Sequence, residues 1–205
     1  MKTPLRTTGN SGARARRAAS RLLALGLLCC RTAAAEQWQI RPADSTGERL
    51  SVTVTPAAPE RRDTPAGIVV SFPGPSADRA PGSPDLGSLV LTLPGRAGFR
   101  AVVRILEAAF EELADMEVAP AEGFRRVYAD DNAYRIERVR QADPAVYGAD
   151  SLWPPALLTV DEACLGTNRY VRLVCWPAQY NPARRRLRLH SRIVAELAFV
   201  PDDAP

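Results

Sequence analysis

The chain has 205 residues, 46% of them hydrophobic, with 18 prolines, 13 glycines and a formal net charge of +4. That length holds one sizeable domain, or one domain with tails, and the proline and glycine content weighs against a helix-dominated architecture. The basic balance belongs to the first 35 residues: Lys2, Arg6, Arg14, Arg16, Arg17, Arg21 and Arg31 lie there with no acid, leaving 20 basic against 23 acidic residues for the rest. A nucleic-acid partner, which needs a basic surface on the folded domain, is therefore not expected.

Residues 1–35 read as a signal peptide. A charged stretch ends at Arg21, the apolar core Leu22 to Cys30 follows, and Ala33-Ala34-Ala35 fits a small-x-small site with cleavage between Ala35 and Glu36. The apolar core falls well short of the ~20 residues that span a bilayer. A lipid-attachment reading through Cys29 or Cys30 is opposed by the bulky Leu27-Leu28 before them. The expected product is an exported chain, secreted, periplasmic or on the cell surface, with no membrane span.

Trp38 and Ile40 share one side of a short alternation at Gln37 to Ile40, and Leu50 to Val54 alternates as a half-buried strand should. Gly67 to Pro73 is a compact apolar run, which implies a more buried strand. Residues 74–87 are rich in Pro, Gly, Ser and Asp and read as a surface loop, and Ser88 to Pro94 is the next strand. Over 99–116, Phe99, Val102, Val103, Leu106, Phe110 and Leu113 fall at helical spacing among good helix formers, so periodicity alone predicts a helix. A strand there would put Ala101, Val103 and Ile105 on one face.

Val127 to Val139 alternates loosely, as a strand or an irregular segment, and Asp143 to Pro155 reads as an ordered loop anchored by Tyr147 and Trp153. Residues 169–176 and 186–200 are the strongest strands. In the second, Leu187, Leu189, Ile193, Ala195, Leu197 and Phe199 share one face, and Arg186, Arg188, His190, Arg192 and Glu196 share the other. One apolar and one wet face marks an antiparallel sheet with one side on a core. Between these strands, Trp176-Pro177-Ala178-Gln179-Tyr180-Asn181-Pro182 reads as a hairpin turn, because proline presets φ and the Asn side chain can bond the backbone ahead of it. The tail at 201–205 is expected to be disordered.

The turn at Pro177, Gln179, Tyr180, Asn181 and Pro182, then Leu187 to Leu189 and Glu196-Leu197-Ala198-Phe199, resembles the propeptide domain of gingipain-type cysteine peptidases (clan CD, family C25). Gly82-Ser83-Pro84-Asp85-Leu86, Leu93-Pro94 and Glu112 to Pro120 follow the same pattern in order, so the resemblance covers most of residues 37–200 and is strongest in the last third. It departs at Gly87, where the family usually has proline, and at Arg184-Arg185-Arg186, where it usually has a small residue or Gly after Asn-Pro-Ala. The resemblance implies an all-β, antiparallel β-sandwich-like domain over residues 36–200, and it favours the strand at 99–116. It also implies a role: a secreted, non-catalytic inhibitor or folding assistant, monomeric and without cofactor, whose partner is a caspase-like cysteine peptidase domain in cis or in trans. The alternative from a different class is a free-standing secreted β-sandwich used in adhesion or assembly.

The remaining chemistry is sparse. His190 is the only histidine, and with no nucleophile and orienting group assigned beside it the expectation is a solvated surface residue. Two cysteines and one histidine are too few for a structural zinc site. Asp130-Asp131-Asn132 lacks the glycine and distant glutamate of a calcium loop and reads as a turn. Export permits a disulfide between Cys164 and Cys175, but only a chain reversal at Gly166-Thr167-Asn168 could bring the sulfurs together, since six residues of strand otherwise hold Cys175 about 20 Å beyond Arg169. Arg184, Arg185 and Arg186 form the one concentrated charge. They read either as a solvated hairpin tip that discourages edge pairing or as a contact or cleavage site for an arginine-recognising peptidase.

Overall fold

Alternating burial is clearest in the second and the last strand of the computed structural model, which describes residues 37–128 and 134–202. The signal segment, with Ala35 and Glu36, and the turn at Asp130-Asp131-Asn132 lie outside the described residues. In chain order the strands are β1 (Trp38–Pro42), β2 (Arg49–Val54), β3 (Glu60–Thr64), β4 (Gly67–Ser71), β5 (Leu89–Pro94), β6 (Phe99–Leu113), β7 (Gly123–Tyr128), β8 (Tyr134–Val139), β9 (Leu158–Leu165), β10 (Asn168–Cys175), β11 (Ala178–Asn181) and β12 (Arg186–Pro201). A single helical turn, α1 (Pro144–Tyr147), sits between β8 and β9, capped by Asp143, whose carboxylate accepts from the Ala145 amide at 2.9 Å.

All the strand pairs are antiparallel. The largest sheet has five strands in the order β1-β2-β12-β11, with β6 along the other side of β12. The second sheet has the order β5-β10-β9. Their inner faces meet in one core: Val52 and Val54 from β2 and Leu187, Ile193, Ala195 and Leu197 from β12 face Leu89 of β5 and Val171, Leu173 and Cys175 of β10. This is the sandwich arrangement, with polar residues alternating outward along each strand. Two small hairpins, β3–β4 and β7–β8, complete the set.

The inner face of β12 is the one its alternation predicts. Residues 99–116, however, form no helix. Phe99 to Leu113 is a fifteen-residue strand bonded to β12 along its whole length, from Phe99↔Pro201 to Leu113↔Leu187. Two register shifts explain the misleading spacing. Ser191 is extra on β12 and Leu106 is extra on β6, and past Leu106 the partly buried positions of β6 change from the odd Phe99, Ala101 and Val103 to the even Ala108. Pro201 and Asp202, expected to be disordered, are held: Pro201 pairs with Phe99 and the Asp202 amide donates to Gly98 O at 2.9 Å, while residues 203–205 lie outside the described residues.

Candidate docking surface

The turn motif is structural and lies inside the fold. Every residue of β11 is buried, and each polar side chain of the motif ties down a separate segment. The Gln179 amide donates to Pro154 O at 2.8 Å, the Tyr180 hydroxyl to Met116 O at 2.9 Å and the Asn181 amide to Asp150 Oδ1 at 2.9 Å. Asn181 Oδ1 also accepts the Arg184 amide at 3.0 Å, the forward bond expected of Asn before the turn. The turn closes through Arg185, whose φ of +52° is a left-handed value that favours glycine. Of the three arginines, Arg185 is the one that stands where the backbone favours a residue without a side chain.

The three arginines are all paired. Arg184 meets Asp150 through two hydrogen bonds of 2.6 and 2.8 Å, and holds that carboxyl down to about 2. Arg186 and Arg188 share Glu112 at 2.7 and 2.8 Å. Arg185 reaches Glu117 only at 3.8 Å and is the most loosely held of the three.

His190 departs from expectation. It is 7% exposed, not solvated, because the bulge at Ser191, the Phe110 ring at 5.3 Å and Gln179 enclose it. Its Nε2 lies 3.2 Å from Gln179 Oε1. Since the Gln179 amide nitrogen already donates to Pro154, that oxygen accepts and the imidazole proton sits on Nε2. Nδ1 is then a buried acceptor with no partner. Burial, aided by the Arg188 charge, pushes the imidazole pKa down to about 4.

Among the described residues no disulfide forms: Cys164 and Cys175 are both free. The chain does reverse after Leu165, but Cys164 pairs with Arg169 and Cys175 with Leu158, so the two thiols sit at opposite ends of the β9–β10 hairpin. Burial pushes the Cys175 thiol far up and leaves it a protonated core residue. Among the described residues neither cysteine bonds His190, and no group of three or more His, Cys, Asp or Glu is placed to hold a metal.

A cluster of exposed large apolar residues lies elsewhere. Phe124 (72%), Tyr128 (63%), Tyr134 (54%) and Ile136 (61%) stand on the β7–β8 hairpin. The register pairs Phe124 with Arg138, Arg126 with Ile136 and Tyr128 with Tyr134, so all six share one face. On it the Arg126 guanidinium lies 5.2 Å from the Tyr134 ring centre. The other face carries Arg125 and Arg135 on Glu137 at 3.2 and 2.7 Å. Monomeric surfaces rarely leave such apolar clusters bare, which makes this aromatic and arginine face the candidate docking surface. The sequence did carry its signal: Phe124, Arg126 and Tyr128 alternate, and Tyr134 and Ile136 follow at the same spacing after an Asx-rich segment.

The Propeptide_C25 family model matches residues 62–205. Among solved structures, the chain is similar to one described as the complex of Porphyromonas gingivalis RgpB pro- and mature domains, with a TM-score of 0.62, 21% identity, and coverage of 80% of this chain and 84% of that one. It is also similar to a structure giving insight into zymogenic latency of gingipain K from Porphyromonas gingivalis, with a TM-score of 0.61, 15% identity, and coverage of 80% and 93%. At these identities the two likenesses establish the fold. No curated protein matches.

Proposed function

The chain belongs to the C25 propeptide family, and we propose that it is the exported, non-catalytic pro-region of a gingipain-type cysteine peptidase, which docks on the peptidase domain and keeps it inactive until removed. The family match across residues 62–205 carries this reading. The similar RgpB structure, described as a complex of pro- and mature domains, and the gingipain K structure, described in terms of latency, support it. The leader at residues 1–35 supports a location outside the cytoplasm.

The β7–β8 face is the main contact in this reading. Its aromatic anchors and arginines are the residue types enriched where binding energy concentrates. The arginine turn is the second contact: Arg185, 56% exposed and only weakly tied to Glu117, is free to meet a carboxylate-lined pocket. Occlusion by such a surface needs no chemistry from the pro-region.

The test is inhibition of the mature domains of RgpB and gingipain K by the purified full chain, read from substrate hydrolysis. Inhibition is expected, and Phe124→Ser with Tyr128→Ser should weaken it at least tenfold. Absence of both inhibition and binding with either peptidase would overturn the inhibitory role and favour the adhesion alternative.

A further inference from the structure

A two-stranded hairpin on its own is marginal in water, yet β7–β8 projects its most apolar face outward. Its order must come from its root, where the loop between β4 and β5 grips both legs. On one leg, the Gly82 amide donates to Ala121 O at 3.0 Å and the Ala121 amide donates to Ser83 O at 2.6 Å. On the other, the Asp143 amide donates to Gly82 O at 2.9 Å. Gly82 has φ +82°, and a Cβ there would meet Gln141 O at 2.8 Å, so the loop fits between the legs only as glycine. Gly123, the first residue of β7, is pressed against Pro81 in the same way, at 3.0 Å from a built Cβ.

A charge cluster locks this grip. Asp85 is 3% exposed and pairs with Arg79 on its own loop and with Arg140 just past β8, at 2.8 Å. Arg140 continues to Pro120 O at 2.8 Å and Glu122 at 2.9 Å on the leg entering β7. One guanidinium thus joins the loop and both legs of the hairpin. Two open grooves, of about 510 and 640 Å³, adjoin the root and leave room beside it.

We propose that the 79–86 loop is a rigid mount that presents the β7–β8 hairpin in its docking orientation, with Asp85 acting through Arg140 as the positioning residue. The functional consequence rests on the hairpin being the docking element. A buried carboxylate that bridges two arginines fixes direction as well as position, because the planar guanidinium of Arg140 holds its donors in a rigid fork, Nη1 on Asp85 and Pro120 O and Nη2 on Glu122. Docking of a pre-ordered hairpin then escapes the ordering cost that a loose one would incur on binding.

The experiment is hydrogen exchange on the full chain, wild type against Asp85→Asn and, separately, Arg140→Lys. Amides of 123–128 and 134–139 should exchange at least tenfold faster in both variants, with β12 amides unchanged. Inhibition of the RgpB mature domain should weaken by at least tenfold in parallel. Unchanged hairpin exchange in a folded Asp85→Asn or Arg140→Lys chain overturns the mount. Faster exchange with undiminished inhibition overturns the positioning role. If wild type inhibits no peptidase, the docking reading fails, while the exchange result still decides the mount. Arg140→Lys keeps the buried charge compensated, so it reports even where Asp85→Asn does not fold.

Discussion

Lowering the pH from 7 to 5 should remove about 2 kcal/mol of folding stability through His190 alone. The imidazole pKa is about 4 in the folded chain against 6.5 for an unperturbed histidine. Below 6.5 the unfolded chain binds more protons than the folded one, so the stability is complete above that value and falls as the pH drops toward 4. The linked loss is about 0.2 kcal/mol at pH 7 and about 2 kcal/mol at pH 5, roughly thirtyfold in the folded-to-unfolded ratio. The physical source is the unpartnered Nδ1: a proton placed there has no acceptor and sits close to Arg188. His190 is the only histidine, and unperturbed carboxylates titrate below this window. Urea unfolding at pH 7 and pH 5, followed by tryptophan fluorescence, measures the difference. His190→Gln should lose most of it. An equal pH-dependent drop in wild type and His190→Gln would refute the reasoning.

Arg185→Gly should stabilise the chain by roughly 0.5–1 kcal/mol, because relief of a left-handed φ outweighs the extra flexibility of glycine when unfolded; the urea midpoint should rise at constant slope. The lost Glu117 contact, 3.8 Å between exposed groups, subtracts little. Leu197→Ala empties a fully buried site at the centre of the largest sheet, and should cost about 2–5 kcal/mol in the same assay; a loss below about 1 kcal/mol would show that the site collapses. Cys164 should be alkylated in the native chain and Cys175 only after unfolding, as peptide mapping by mass spectrometry would show; native labelling of Cys175 would contradict its burial in the core.

The sheets were legible where one face is buried and the register is regular. Leu50, Val52 and Val54 on β2 and the odd-numbered apolar residues of β12 fall inward as a period of two requires. Legibility failed at the bulges. The residues β6 turns inward, Phe99, Ala101, Val103 and Ala108, follow a strand period broken around Leu106, while Phe99, Val102, Val103, Leu106 and Phe110 mimic a helical stripe. His190 was misplaced for the same reason: Ser191 absorbs the phase, and what covers the imidazole comes from β6 and β11, which no local pattern reveals. The candidate surface was not legible: Val127 to Val139 alternates only loosely, as a strand or an irregular segment, and only the register brings Phe124, Arg126, Tyr128, Tyr134 and Ile136 onto one face.

The position of β12 sets a timetable for the chain. It is the last described strand, sixteen residues long, and it takes β2 on one side and β6 on the other. As the polypeptide is made from its N-terminus, the β1–β2 hairpin and β6 emerge with no strand between them, and half the core has nothing to pack against. Pairings so distant in sequence form slowly. Completion of the largest sheet therefore waits on the arrival of Arg186 to Pro201, which fills the gap between β2 and β6.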